Sequence, residues 1–104
     1  MSMHSEHWLD TDGHPAGGCT YGSGFAISWQ NGPLGSGDSK VSPNGAFIED
    51  IIESVIDRIK FYQGSKFACE ENTQAIATLK AAVLFLEQRE KDRALRGVQG
   101  TNQP

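Results

Sequence analysis

The sequence has no long hydrophobic run, few cysteines and no excess of positive charge. No apolar stretch approaches the roughly 20 residues of a membrane-spanning helix, and the first residues lack the apolar core of a signal peptide. The two cysteines, Cys19 and Cys69, lie far apart and give no disulfide framework, which favours a reducing compartment. With a net charge of −4, the chain is not suited to coat DNA or RNA, because that requires many phosphate contacts. We therefore expect a soluble cytoplasmic protein without nucleic-acid or membrane partners.

The chain also offers no evident catalytic pair. All its histidines precede residue 15, so none lies in the C-terminal half to activate Cys69 as a nucleophile. The N-terminal histidines, aspartates and cysteine fit no closed zinc pattern. These residues are His4, His7, Asp10, Asp12, His14 and Cys19. We expect a protein that is not an enzyme and has neither a metal nor a cofactor.

The N-terminal part of the chain is rich in glycine and predicts loops and short strands. Apolar and polar residues alternate over 25–29, which is the period of a half-buried strand. Residues 19–21 are a candidate partner strand, joined to it through Gly22-Ser23-Gly24. We predict a flexible N-terminus over residues 1–18 and a β-ribbon with loops over residues 19–43.

Residues 44–97 have the periodicity of α-helices. Asn44 is a favourable N-cap for a first helix with an isoleucine-rich face, and Gly64 is a favourable terminator. Ser65 can cap a second helix, which is predicted to end at Gly97. A connection of only three or four residues predicts that the two helices fold back as an antiparallel hairpin.

The predicted fold class is α+β, with one domain over residues 1–104. A small N-terminal antiparallel β-ribbon precedes a long antiparallel two-helix hairpin, and residues 98–104 form a tail. The second helix is apolar nearly all round at residues 83–86, which exceeds what one hairpin can cover. The surplus apolar surface predicts self-association into a dimer at least.

Arginines continue an apolar stripe at the end of the second helix. The stripe follows Leu79, Ala82 and Leu86 at helical spacing. Its continuation consists of Arg89, Arg93 and Arg96. Guanidinium groups on an inward face require an anion, either a carboxylate of the fold or a bound ligand, because unpaired buried charge is costly. Alternatively, these cations complement the helix dipole while their stems cover apolar neighbours.

Other residues allow both a structural and a ligand-binding interpretation. Asn72 lies on the apolar line of the second helix, where it either fixes the helix register or hydrogen-bonds a ligand. Phe61 and Tyr62 are either core or loop-covering residues, or a stacking platform for a base. Gly100 and Thr101 lie in a glycine-containing tail that suits close backbone approach to a phosphate or a ribose.

Four segments of the chain resemble the first Thoeris anti-defence family of bacteriophage proteins. They are Ile27–Leu34, Asn44–Asp50, Arg58–Asn72 (with Gly64 outside the match) and Arg96–Thr101, which together cover most of residues 24–102. The helical hairpin of that family is shared with a family of phage anti-CBASS sponges. In one departure, Glu70 stands where the family often has a basic residue, and a carboxylate disfavours an anionic ligand.

The resemblance implies a non-enzymatic sponge that acts in the cytoplasm of an infected bacterium. Such proteins sequester, without cleaving, the cyclic ADP-ribose isomer made by the host's TIR-domain sensor. Members form dimers and hexamers, and some also bind cyclic oligonucleotides, such as dinucleotides or trinucleotides, at a second type of site. Arg58 and Lys40 are candidates for that second site, because they are among the few remaining cations.

The resemblance also implies a role for each candidate residue. Phe61 or Tyr62 would stack on the adenine, and Asn72 would hydrogen-bond the ligand. The pyrophosphate would be held by Arg89 and Arg93. A tail with Arg96, Gly100 and Thr101 would close over the ligand across a dimer interface. The alternative is a ligand-free helical-hairpin protein that inhibits a host protein by direct contact.

Overall fold

The computed structural model describes residues 2–104 and has a sheet followed by two helices. Its elements are β1 (Met3–Leu9), β2 (Pro15–Gly22), β3 (Phe25–Trp29), a 3₁₀ helix (Gly37–Ser39), α1 (Ile48–Gln63) and α2 (Glu70–Leu95). The α+β class and the order from strands to helices are confirmed. The chain divides into two compact units. We call them the sheet unit, Met1–Phe47 with Ala94–Pro104, and the helical unit, Ile48–Arg93.

A hydroxyl of the central strand ties the three antiparallel strands together. The strand order is β1-β2-β3. Thr20 of β2 is only 8% exposed, and its Oγ1 accepts a hydrogen bond from Trp29 Nε1 of β3 at 2.8 Å. The same atom lies 3.0 Å from Ser5 Oγ of β1. Because a buried polar atom is costly without partners, these bonds favour one register of the sheet.

The first 18 residues are not the flexible segment that the sequence predicted. Met3–Leu9 pairs with β2, and the turn between the strands is built around Asp10. Asp10 Oδ1 accepts hydrogen bonds from the backbone N–H groups of Asp12 and His14, both at 2.9 Å. Gly13 completes the turn with a φ of +83°. Such an Asp-centred turn with a glycine is a hairpin signal that the polar composition of the segment hid.

The strands predicted over 25–29 and 19–21 are confirmed as a pair. Thr20 lies opposite Ile27 and Tyr21 opposite Ala26, in antiparallel register. Ala46 then forms a parallel bridge beside Trp29. Gly45 precedes this bridge, and a Cβ there would lie 2.5 Å from the Trp29 carbonyl oxygen, so glycine permits the close approach.

Asn44 does not cap α1, contrary to the sequence-based prediction. Its Oδ1 accepts the Asn31 N–H at 2.8 Å, and its own N–H donates to Gln30 Oε1 at 2.9 Å. The side chain is therefore used to fasten residue 44 beside the end of β3. As a result, α1 begins four residues later, at Ile48.

The helical unit has the two predicted helices, with a longer connection between them. Glu49 lies in the first turn of α1, where a carboxylate complements the helix dipole. The connection covers the six residues 64–69, so Ser65 does not cap α2. Ser65 Oγ instead donates to the Tyr62 carbonyl at 2.6 Å and accepts the Phe67 N–H at 3.1 Å. The antiparallel course of the helices along their length stays a prediction.

Few side chains of the helical unit are buried within one chain. Ile56 is 2% exposed and Val83 is 5% exposed. On α2, by contrast, Leu84 is 65% and Phe85 76% exposed. Monomeric proteins rarely leave such apolar surface uncovered, which agrees with the predicted self-association. None of the helices within residues 2–104 is long and apolar enough to cross a bilayer.

Ile56→Ala is expected to lower the free energy of unfolding by about 2–5 kcal/mol, since it leaves a cavity at a fully buried position. The matched control is Ile48→Ala on the same helix, where the side chain is 49% exposed. It should cost less than half as much. Denaturant unfolding of both variants measures the difference, and equal losses would contradict the assigned burial.

Candidate functional site

The predicted ligand-binding residues fall into three groups in the structure. We call them the aromatic corner (Phe61, Tyr62 and Asn72), the arginine segment (Arg89 and Arg93) and the tail (Arg96, Gly100 and Thr101). The first two groups belong to the helical unit and the third to the sheet unit.

The aromatic corner presents exposed ring faces beside a cation. The rings of Phe61 and Tyr62 are 5.8 Å apart, and Phe67 lies 6.4 Å from Tyr62, both edge to face. The Arg58 guanidinium lies 5.0 Å from the Phe61 ring centre and 5.2 Å from that of Tyr62. Phe61 is 63% exposed, so within one chain it is not a core residue. This arrangement can stack on a planar base and attract an anion next to it.

Sequence reasoning did not place Arg58 and Phe67 in this group. Arg58 precedes Phe61 and Tyr62 by three and four residues on α1, so all three side chains lie on one face of the helix. That spacing alone could have placed Arg58 beside Phe61 and Tyr62. Phe67 lies in the connection between the helices, where no periodicity indicates its position.

Asn72 is fixed beside the aromatic rings by hydrogen bonds that its amide nitrogen donates. Its Nδ2 donates to Gln63 Oε1 at 2.9 Å and to the Phe67 carbonyl at 3.3 Å. Gln63 Oε1 also accepts the Cys69 N–H at 2.9 Å. Asn72 therefore has a structural part in joining the end of α1 to the start of α2. A ligand would be held through the other amide atom, Oδ1.

The prediction that Arg89 points inward is wrong for the single chain. Its side chain is 56% exposed, and its Nη2 lies 3.6 Å from Glu90 Oε1. The reason is the helical register. The less exposed positions of α2 alternate in steps of four and three, and this line reaches Glu90 and Arg93 but leaves Arg89 beside it. Arg93 lies on the line and is half-buried.

One chain cannot bring the aromatic corner and the arginine segment to the same small ligand. Asn72 and Arg89 lie on the same continuous helix, α2. At 1.5 Å per residue, they are about 25 Å apart along its axis. A site that uses both groups therefore needs two chains.

A shallow depression on α2 does not suit an anionic ligand. It is lined by Glu70, Glu71, Gln74, Ala75, Thr78 and Leu79, which lie on one face of the helix. Glu70 Oε1 accepts a hydrogen bond from Gln74 Nε2 at 2.8 Å. Both carboxylates are in the first turn of α2, where they complement the helix dipole. The hydrogen bond to Gln74 and the helix dipole therefore explain an acidic residue at position 70 in structural terms.

The tail uses its polar groups largely within itself. Thr101 Oγ1 lies 2.5 Å from the Val98 carbonyl and accepts the Gln103 N–H at 3.1 Å. Arg96 Nη2 donates to the Pro104 carbonyl at 2.8 Å. The Gly100 carbonyl accepts the Gly35 N–H at 3.0 Å. These bonds shape the tail, and a role for Arg96, Gly100 and Thr101 in ligand binding stays a prediction.

Two titratable groups of the sheet unit have shifted pKa values. The backbone N–H of His14 holds the pKa of Asp10 below its usual value by donating to the carboxylate. Desolvation raises the pKa of the Cys19 thiol, with a contribution from Glu6, whose carboxylate lies 3.6 Å from the sulfur. A thiol with a raised pKa is a poor nucleophile. Asp10, Asp12 and His14 bring possible ligand atoms within 4.8 Å of one another, but the Asp10 carboxylate already accepts two backbone bonds.

Comparison with known proteins points to a class, the phage anti-defence proteins. The chain is similar to "Thoeris anti-defense 1" of Bacillus phage SBSphiJ7, with 38% identity over 77 residues, or 74% of this chain. The chain spans about half the length of that relative (51%). No model of a protein family matches the chain. The similarity supports membership of the Thoeris anti-defense 1 family, which confirms the resemblance found in the sequence.

Proposed function

We propose that this protein is an anti-defence protein of a phage that binds and sequesters a cyclic ADP-ribose isomer without cleaving it. The observation that carries the proposal is the 38% identity to Thoeris anti-defense 1 over most of this chain. The name of that relative gives it a role against the Thoeris defence system, and the family resemblance adds capture of a cyclic nucleotide signal. Since this chain spans half of the relative, the whole activity is part of the proposal.

The chemistry of the side chains supports a ligand with a purine and a pyrophosphate. The exposed faces of Phe61 and Tyr62 suit a base, and Asn72 Oδ1 can accept a hydrogen bond from it. Arg89 and Arg93 supply planar guanidinium groups, which bind phosphate oxygens in pairs. Arg58 adds a cation directly at the aromatic corner. Arg96, Gly100 and Thr101 are proposed to assist capture from the tail.

The complete site is proposed to form between two copies of the chain. In a two-fold symmetric dimer, any contact of one patch with another is made twice, once in each direction. If the α2 helices pair antiparallel, the aromatic corner of each chain lies beside the arginine segment of its partner. The exposed Leu84 and Phe85 lie on α2 between these groups and supply apolar surface for the pairing. Hexamers would arise from further contacts of such dimers.

Capture followed by heat release tests the proposal directly. The protein is incubated with a cyclic ADP-ribose isomer, freed of unbound ligand and denatured by heat, and the released small molecule is identified by mass spectrometry. Intact ligand is the expected result. An altered product would instead identify an enzyme that degrades the signal. A thermal-shift panel that includes cyclic dinucleotides and trinucleotides then tests for a second type of site, because a bound ligand raises the melting temperature.

A ligand-free inhibitor is the second candidate function. The observation that favours it is the exposed apolar surface of α2, which can contact a host protein as well as another copy of the chain. In that case the capture experiment would show no uptake, and no nucleotide would raise the melting temperature. Leu84 and Phe85 would remain exposed in the assembled protein.

A further inference from the structure

Two distant segments of the sheet unit meet through a pair of glycines. The Gly35 N–H donates to the Gly100 carbonyl at 3.0 Å, which joins the tail to the loop that follows β3. Both residues adopt the left-handed backbone conformation, with φ of +79° and +75°. This conformation is readily available to glycine and costly for most other residues.

The contact excludes side chains for a steric reason as well. A Cβ on Gly100 would lie 2.3 Å from the Gly35 oxygen, and a Cβ on Gly35 would lie 3.0 Å from the Ser39 oxygen. Other glycines share the backbone conformation without this crowding, and two of them lie close to the contact in sequence. Gly37 (φ +58°) and Gly97 (φ +74°) would have no atom within 4 Å of an added Cβ. The chain thus provides its own controls for backbone strain alone.

Each side of the contact also has hydrogen bonds of its own. The loop is closed by the Val41 N–H, which donates to the Leu34 carbonyl at 2.8 Å. The tail is held by the bonds of Thr101 to Val98 and Gln103. These bonds do not involve Gly35 or Gly100, so loss of the Gly35–Gly100 bond leaves them in place, and a single peptide hydrogen bond contributes modestly to stability.

We propose that the Gly35–Gly100 contact is a latch that holds the tail in place, and that it prolongs the stay of a captured ligand. Gly35 is thus a positioning residue, which acts through the tail and does not itself touch the ligand. The inference rests on the proposed function, because Arg96 and Thr101 of the tail are among its predicted ligand-binding residues. A sponge benefits from slow release, and affinity within one family of complexes is set mostly by the dissociation rate.

The test compares Gly35→Ala and Gly100→Ala with Gly37→Ala as the control. Hydrogen exchange of residues 98–103 reports whether the tail is released, and surface plasmon resonance gives the rates for a cyclic ADP-ribose isomer. We expect both latch variants to release the ligand about tenfold faster, with little change in association, on the scale of one lost hydrogen bond. Gly37→Ala should stay within about twofold of the original protein. The double variant should be no faster than one single variant, because both remove the same contact.

Several outcomes would overturn the latch while the sponge proposal stands. One is faster hydrogen exchange in the tail with an unchanged ligand dissociation rate; another is unchanged tail exchange in both variants. If the alanine variants do not fold, a chain ending at Gln99 removes the Gly100 carbonyl without strain. A chain ending at Gly100 is its control, because it also lacks Thr101 but keeps the oxygen that accepts the Gly35 N–H, and equal dissociation rates for the two would also contradict the latch. Absence of ligand uptake by the original protein would defeat the proposed function itself, and the latch with it.

Discussion

Replacing Arg89 by alanine is expected to weaken capture of a cyclic ADP-ribose isomer about 100-fold and to leave the fold intact. The loss is on the scale of paired, charge-assisted hydrogen bonds to a phosphate. The fold should tolerate the change, because the Arg89 side chain is 56% exposed and its neighbour Glu90 is 3.6 Å away. Exposed ion pairs of this kind contribute at most about 1 kcal/mol. Isothermal titration calorimetry measures the affinity, and thermal melting the stability.

Two further variants make the Arg89 result specific. Lys91→Ala removes an exposed cation two residues away on α2 and should change the affinity little. Arg89→Lys keeps the charge but loses the planar pair of donors, so it should fall between Arg89→Ala and the original protein. If Arg89→Ala unfolded the protein while the affinity per folded molecule stayed the same, Arg89 would have a structural role only.

Phe85→Glu is expected to dissociate the proposed dimer and to abolish capture with it. Phe85 is 76% exposed in one chain, so the substitution should not disturb the monomer. In an interface, however, it would place an unpaired carboxylate in an apolar contact, which is costly. The dissociation constant of the assembly should rise at least about 100-fold. Analytical ultracentrifugation over a concentration series measures this change.

The control for Phe85→Glu is Ser54→Glu, which adds the same charge at an exposed position of α1, outside the α2 face that carries Leu84 and Phe85. It should leave the assembly intact. If the dissociation constant is unchanged in Phe85→Glu, the interface does not include Phe85. Loss of capture without loss of assembly would instead assign Phe85 to the ligand site.

The elements that the sequence predicted well are those with a regular apolar period. β3 alternates strictly, and both helices carry apolar residues in steps of three and four. β1 was missed, because Met3–Leu9 is mostly polar and exposed on both faces. Its pairing depends on the Asp10 turn and on Thr20, which are tertiary features.

Local signals failed where a side chain had a better partner elsewhere. Asn44 is a favourable N-cap by type, yet its amide binds the backbone beside β3. Ser65 likewise bonds within the connection between the helices. Capping preference states which residue types can end a helix, but hydrogen bonds to other parts of the fold determine whether a given side chain does so.

The candidate site was predictable in its residue types but not in its arrangement. Helical spacing drew attention to the arginines near the end of α2, but the stripe was extended one position off, onto Arg89 instead of Glu90. Phe61, Tyr62 and Asn72 were candidates from their positions in the sequence and from the family resemblance, whereas the placement of Arg58 beside the two rings emerged only from the structure. The separation of about 25 Å along α2 follows from helix geometry, and it supports the proposal that the aromatic corner and the arginine segment meet only between two chains.

Mixing two defective variants tests most directly whether two chains complete the ligand site. Phe61→Ala disables the aromatic corner, Arg89→Ala disables the arginine segment, and neither alone should capture the ligand at concentrations that saturate the original protein. If the variants are mixed and allowed to exchange subunits, each mixed dimer contains one site with both groups intact. Equal amounts of the two should then recover about one quarter of the original binding capacity, since about half of the dimers are mixed. No recovery, although mixed dimers form, would contradict a site shared between chains.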